Sequence, residues 1–403
     1  MVGGKIALRS SVLVSAARTP FGGFGRTLRD MKATQLGAIA IRAAVERAGI
    51  KPGDVDYLLM GMVVQAGTGQ IPSRQAGIAA GLPVTVPSDT INKVCASGLR
   101  AVNLADMMIR AGEAQVVVAG GMESMSQAPY FMDRARWGGL RLGHGTLIDG
   151  VIKDGLWCPF GDVHMGALGD AAAKKHGISR EEQDRWALRS HQRALAAIRE
   201  GRLREEIVPV EIPQKDGPPL IFDTDEAPRP DTSLEKLARL RPAFTPDGTI
   251  TAGNAPGLND GAGALVVMEE AKARALGIKS LARIVSHGVA SVEPADMPEV
   301  PALAAKVALD KAGLSINDIG LIEVNEAFAA VALISMKLGG WDEEKINVNG
   351  GAVALGHPIG ASGARILMTL VFEMRRRGVK FGLATICSGA AQGEATIVEL
   401  CEG

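Results

Sequence analysis

The chain has 403 residues, 47% of them hydrophobic and 22% charged, a globular composition long enough for two or three domains with a sizeable core. Its 44 Lys and Arg balance its 44 Asp and Glu, and aromatics are only 4%, which excludes a uniform basic footprint for nucleic acid or an anionic membrane and argues against base-stacking platforms. Four cysteines are too few for a disulfide scaffold and point to a reduced, cytoplasmic setting, and no apolar run approaches a membrane span of roughly 18 residues.

In chain order, residues 11–17 follow Lys5 and Arg9 and read as a first strand; the run is short and lacks the cleavage pattern of a signal peptide. Ala44-Val45-Glu46-Arg47-Ala48-Gly49 ends an amphipathic helix on a glycine, and a short loop through Asp54-Val55 leads to a strand. Asn92-Lys93-Val94-Cys95-Ala96-Ser97-Gly98 opens a helix that ends near Gly112 and feeds a buried strand over residues 115–119. Residues 125–249 differ in texture: eight of the 20 prolines fall between Pro209 and Pro246. One helix is expected there, capped by Ser179 with Glu182 completing a capping box, and running to Gly201. An apolar strand over 261–268 follows a Gly-rich turn. Val324-Asn325-Glu326-Ala327-Phe328 reads as a strand end, Gly356-His357-Pro358-Ile359-Gly360-Ala361-Ser362-Gly363 opens a helix ending near Gly378, and a strand over 382–386 runs into Cys387-Ser388-Gly389. The final Glu-Leu-Cys-Glu-Gly carries no peroxisomal or retention tripeptide.

An internal duplication runs through this series at an offset of about 265 residues. Ala44 to Gly49 matches Ala308-Leu-Asp-Lys-Ala-Gly313, each followed by an acid and an aliphatic, and Ala96-Ser97-Gly98-Leu99-Arg100 matches Ala361-Ser362-Gly363-Ala364-Arg365. Two matches in the same order at one offset imply two copies of an α/β unit, with mostly parallel sheets covered by helices. The expected organisation is residues 1–124 plus 250–280 as the first half, 125–249 as an insertion over the core, and 281–403 as the second half.

Ligands of open α/β sheets gather beyond the carboxyl ends of the strands, where strand-to-helix loops meet. The two equivalent turns carry Cys95 and His357. Cys95 reads as lying in the first turn of its helix, where unpaired N–H groups and the dipole lower a thiol pKa; a small buried residue at a tight turn is an equally good reading. His357, Cys387 and Asn325, each taken alone, fit a turn or a packed small residue better than a catalyst. Together, two thiols, one imidazole and one amide on strand-end loops suit a carbon–carbon Claisen exchange: one thiol carries the acyl group, a base activates it, and a second acid/base handles the α-carbon proton.

These segments closely resemble the signatures of the thiolases, as do Ala17-Arg-Thr-Pro-Phe-Gly, Gly120-Gly-Met-Glu-Ser-Met-Ser, Gly253-Asn-Ala255-Pro256-Gly-Leu-Asn-Asp-Gly and Asn347-Val-Asn-Gly-Gly-Ala-Val-Ala-Leu-Gly-His357. The resemblance spans nearly the whole chain. It implies a five-layer α-β-α-β-α core with a loop domain inserted in the first half and binding CoA. It implies that Cys95 is acylated, that His357 takes its proton, that Cys387 moves the methyl proton, and that Asn325 holds a water completing one oxyanion hole with His357. The N–H groups of Cys95 and Gly389 would form the other. The reaction would be a ping-pong condensation of two acetyl-CoA to acetoacetyl-CoA, an acyltransferase activity with CoA and acyl-CoA as substrates, no cofactor and no metal. His164-Met165-Gly166 resembles the short-chain, biosynthetic type, and Arg229, Phe244, Ala255, Pro256, Ala327 and Phe328 match substrate-binding positions. A homodimer or tetramer is implied, with residues 125–148 as a candidate assembly arm, and no nucleic-acid or membrane partner.

This chain departs from the family pattern where Ala390 and Ala391 replace glycines, where Pro256 replaces a serine, and where Lys236 replaces a smaller polar residue. A broad-chain 3-ketoacyl-CoA thiolase and a non-catalytic acyl-CoA or lipid carrier are the alternatives; a decarboxylating condensing enzyme is disfavoured by Cys387. Of the other histidines, His176 reads as a helix C-terminal cap and His191 as solvated, while His144 and His287 suggest no role.

Overall fold

In a computed structural model of the chain, residues 9–401 are described; Lys5, which precedes the expected first strand, and the last two residues lie outside them. The first half builds β1 (Ser11–Arg18), β2 (Tyr57–Gly61), β3 (Ser88–Ile91), β4 (Val116–Ser124) and β5 (Asn259–Glu269). The second builds β6 (Ala282–Ser291), β7 (Leu321–Val324), β8 (Phe381–Ser388) and β9 (Gln392–Leu400). Across the sheet the orders are β3-β2-β4-β5-β1 and β7-β8-β9-β6, which correspond strand for strand. The counterpart of β3 shrinks to a single bridge between Ile322 and Ile346. Equivalent first strands β1 and β6 meet antiparallel at Val12–Arg283 and Leu13–Ala282, joining the halves into one continuous path.

The sheet is mixed, not mostly parallel. Only the pairings of β2 with β3 and β4, and of β7 with β8, are parallel. The reason lies in the connections. β9 returns from β8 through the tight turn Gly389–Ala391, and β5 returns from the insertion, so neither arrives by a crossover helix.

The main helices in chain order are α1 (Ala33–Arg47), α2 (Pro72–Ala79), α3 (Ser97–Ala111), α4 (Met165–His176), α5 (Arg180–Arg199), α6 (Val300–Ala312), α7 (Ala329–Gly339) and α8 (Ser362–Arg377). α1 and α2 pack on one side of the first half, and α6 and α7 on one side of the second. α3 and α8 share one core between the halves, and α8 is buried at every position from Ser362 to Met374. This is the layered α-β-α-β-α arrangement. Helix ends follow local chemistry: α3, α6 and α8 stop at Gly112, Gly313 and Gly378, all with positive φ.

The inserted segment adds short hairpins, the long helices α4 and α5, and a short helix, Leu234–Ala238. The capping box forms at α5, where Ser179 Oγ accepts from the Glu182 N–H at 3.2 Å and Glu182 Oε2 accepts from the Ser179 N–H at 2.7 Å. Of α4 only the end was legible in the sequence, at His176 before Gly177. Its glycines lower helix propensity, yet they are there to admit rings: a Cβ on Gly166 would fall 2.1 Å from Phe244, and one on Gly169 would fall 3.2 Å from Phe328. His191 is buried on α5 and not solvated, because its Nδ1 accepts from the Arg229 N–H at 3.1 Å under the Pro-rich segment. His176 ends α4 before the Gly177 cap and pairs with Glu299 at 2.8 Å.

Candidate active site

Cys95 precedes α3 by two residues and does not sit in its first turn. The turn holding it is strained: Val94, a β-branched residue, has φ of 44°. Ser97 pins this turn, accepting from the Lys93 N–H at 2.8 Å and donating to the Val94 carbonyl at 2.6 Å. Its repeat equivalent, Ser362, pins the His357 turn. Ser362 Oγ lies 3.0 Å from the Pro358 carbonyl and 2.6 Å from His357 Nδ1. A carbonyl only accepts, so the hydroxyl proton goes to Pro358 and the serine oxygen accepts from Nδ1–H. His357 Nε2 is thereby left unprotonated. It is buried and has no hydrogen-bond partner within the protein among the described residues. The His357 backbone is fixed from the other half, its N–H donating to Asn259 Oδ1 at 2.8 Å.

The thiol of half-buried Cys95 is not acidified. Burial pushes it up to about 12, against a lowering pull from the N–H groups of Cys95 itself and Gly389, and Glu123 pushes it further up. Burial, helped by Arg365, pushes His357 down to about 3, so the imidazole is neutral. The resting pair is therefore a thiol beside a free base. Cys387 is buried at the end of β8, its thiol raised first by burial and then by the neighbouring Cys95. Asn325 follows β7, fully buried, with neither amide atom hydrogen-bonded within the protein. Its loop is held by Glu326, which accepts from Trp186 Nε1 at 2.9 Å and Ser190 Oγ at 2.8 Å on α5, and from Asn347 Nδ2 at 2.9 Å and the Val353 N–H at 3.0 Å.

Cys95, His357, Cys387, Gly389, Met165, Ala327 and Phe328 line one small, mostly apolar cavity of about 50 Å³. Larger clefts exist, such as one of about 560 Å³ along α5, but they hold no comparable grouping of thiols and base. His164 and Phe244 stand outside the cavity wall in an aromatic ladder: their rings stack at 4.5 Å, and Phe244 meets Phe328 edge-on at 5.8 Å. Ala255 packs in the same core as Phe244, and Pro256 is half-buried beside it. Arg229 is exposed and does not reach the cavity, because its backbone, not its guanidinium, is directed inward to His191. Lys236 pairs with Asp231 at 2.7 Å on the surface.

Gly155, Leu156, Met297 and Ile359 also line the cavity and were missed. Ile359 was within reach, lying two residues after His357. Gly155 and Leu156 end a single π-helical turn, Val151–Leu156, and Met297 comes from a short helix Pro294–Glu299; neither leaves a periodic signal. Among the described residues no group of three His, Cys, Asp or Glu side chains could hold a metal ion. A free base, two thiols and N–H groups converging on sulfur can form, hold and transfer an acyl group and move a proton at its α-carbon.

Residues 11–271 match the family model described as thiolase, N-terminal domain, and residues 278–400 match that described as thiolase, C-terminal domain. The chain is 54% identical to an acetyl-CoA acetyltransferase of Pseudomonas aeruginosa, over 96% of this chain and 98% of that protein. It is 52% identical to an acetyl-CoA acetyltransferase of Cupriavidus necator, over the same shares. A crystal structure of the Bacillus anthracis acetyl-CoA acetyltransferase superposes with a TM-score of 0.96 at 43% identity, covering 98% of this chain and 100% of that one.

Proposed function

The chain belongs to the thiolase family, and on that premise we propose that it catalyses the reversible Claisen condensation of two acetyl-CoA to acetoacetyl-CoA and CoA. The observation that carries this reading is the meeting of Cys95, Cys387 and the unprotonated His357 Nε2 around one cavity. Cys95 attacks the thioester carbonyl as His357 Nε2 takes its proton, and CoA leaves as the acetyl group moves to sulfur. His357 returns that proton to the departing CoA sulfur and then takes the thiol proton of Cys387. The Cys387 thiolate removes a methyl proton from the second acetyl-CoA, the enolate attacks acetyl-Cys95, and the Cys95 sulfur leaves with the proton held on His357. The N–H groups of Cys95 and Gly389 face the oxyanion of the first thioester; His357, with a water on Asn325, faces that of the second. CoA and acyl-CoA serve as substrates, and no further cofactor enters.

Met165, Ala327 and Phe328 bound the acyl group, and the ladder of Phe328, Phe244 and His164 leads outward along the pantetheine arm, with Ala255 and Pro256 beside it. Arg229 serves the distal end of CoA. The small cavity favours an acetyl-sized acyl group and so the short-chain type. We further assign a homo-oligomer, dimer or tetramer. An exposed arm supports this, its hairpin pairing Tyr130–Phe131 with Ile148–Asp149 and its Trp137 85% exposed. Among the described residues no helix is long and apolar enough to cross a membrane. The four free cysteines suit a reducing, cytoplasmic setting.

The test is CoA-dependent thiolysis across a chain-length ladder from acetoacetyl-CoA upward. Activity should fall sharply after the four-carbon substrate. Comparable rates on long chains would make it a broad-chain 3-ketoacyl-CoA thiolase, and no activity on any member would favour a carrier.

A further inference from the structure

Glu123 lies near the end of β4, where the two halves meet, and is fully buried. Its Oε2 accepts from the N–H groups of Val63 and Gly360, both at 3.0 Å, and its Oε1 accepts from the Val64 N–H at 3.2 Å. Gly360 lies three residues after His357, and Ile359 between them lines the cavity. Val63 and Val64 pack with Ile359, and Cys95 packs against the same cluster. One carboxylate of the first half therefore fastens both the turn that carries the base and the loop beside the nucleophile. The fit is close: a Cβ on Gly360 would fall 2.8 Å from Glu123 Oε2, and one on Gly121 would fall 1.9 Å from the Gly360 carbonyl.

A buried carboxylate is costly unless its oxygens are satisfied, and a neutral side chain could cap fewer N–H groups at lower cost. We propose that Glu123 is a positioning residue for the reaction: it clamps the Ile359–Gly360 turn to the Val63–Val64 loop and holds a negative charge beside Cys95. The inference rests on the reading of Cys95 as nucleophile. The groups facing Glu123 are Asp260 from β5, the Cys95 thiol from the turn before α3, and backbone N–H groups from the other two loops. Desolvation and Asp260 push its carboxyl up to about 7 while the three N–H bonds pull it down, so the charge is present above neutrality and lost below it. The charge opposes a standing thiolate, so Cys95 gives up its proton only to His357 as it attacks.

The test is the rate of Cys95 alkylation by iodoacetamide, read by peptide mass from pH 5.5 to 9.5, beside thiolysis of acetoacetyl-CoA. Glu123→Gln should alkylate roughly threefold or more faster than wild type above about pH 8, and the ratio should return to about one below about pH 6, where the wild-type carboxyl is protonated. Thiolysis kcat should fall about tenfold or more, because the amide turns a donor toward an N–H. Simple loosening would raise access at every pH, so a constant ratio overturns the charge role. Glu123→Asp keeps the charge and withdraws it from the loops; it should alkylate like wild type while kcat falls. Unchanged kcat in Glu123→Asp, or a Gln-like alkylation profile in it, overturns the proposal even where Glu123→Gln fails to fold. Alkylation needs no acyl-CoA turnover, so failure of the thiolase reading is separately visible.

Discussion

Gly98 and Gly363, equivalent positions in the two repeats, face each other across the first turns of α3 and α8. A Cβ on Gly98 would fall 2.8 Å from the Ala364 nitrogen, and one on Gly363 would fall 2.3 Å from the Leu99 nitrogen. The helices that follow Cys95 and His357 thus touch backbone to backbone, which brings the nucleophile and base turns to one cavity. Gly363→Ala should destabilise by about 1–3 kcal/mol despite the better helix propensity of alanine, and Gly98→Ala by less. Thermal unfolding of the two variants checks the order, and the reverse order would count against this packing.

The duplication was legible because Ala-Ser-Gly and the helix-end glycines mark positions where backbone geometry restricts side chains. Cys95, Cys387 and Asn325 were legible for a related reason: each stands at or just past the carboxyl end of a strand, which local pattern reveals, whereas His357 follows a one-turn helix, Ala352–Leu355, and not the strand its turn suggests. Sequence did not show that Cys95 stands outside its helix with a raised thiol, or that His191 is buried. Both depend on what packs over them from far along the chain. Glu123 and Glu326 were invisible for the same reason, since their partners are mostly backbone N–H groups and side chains of distant segments. Even the mixed sheet turned on how β5 and β9 return, not on strand pattern.

His191 makes stability depend on pH. Burial and Arg229 push its folded pKa down to about 4 from an ordinary 6.5. The folded state then holds the proton less tightly than the unfolded one. The stabilisation is present above pH 6.5 and is lost as pH falls toward 4. Between pH 6.5 and 5, His191→Asn should lose about 2 kcal/mol less stability than wild type, while its amide oxygen, in the place of Nδ1, keeps the Arg229 bond. Urea unfolding at the two pH values reads this directly; parallel losses would show His191 is not the titrating group.

Ala390 occupies the left-handed region, with φ of 59°, in the turn that positions the Gly389 N–H. An L-residue costs about 1–2 kcal/mol there relative to glycine, while glycine adds about 0.4–1 kcal/mol of unfolded-state entropy. Ala390→Gly should therefore raise stability by up to about 1 kcal/mol and leave acylation intact. Ala391 is also left-handed but fully buried in the core of the second half, so its methyl has packing to lose. A lower melting temperature for Ala390→Gly would mean its methyl has packing of its own.

The two thiols should separate by step. Cys95 carries the acyl group, so Cys95→Ser should abolish formation of the acetyl-enzyme, seen as the loss of an acetylated peptide after exposure to acetyl-CoA. Cys387 enters only when a proton leaves or returns to the α-carbon, and His357 Nε2, held by Ser362, is available for Cys95 without it. Cys387→Ser should therefore still trap acetyl-Cys95 while condensation falls by about 10²–10⁴, the usual worth of a positioned acid/base. The hydroxyl is smaller and far less acidic than a thiol, so packing changes little while proton transfer is lost. Both residues line one cavity, and their thiols interact. Equal loss of acylation and condensation in Cys387→Ser would contradict this division and leave the two sulfurs acting as a unit.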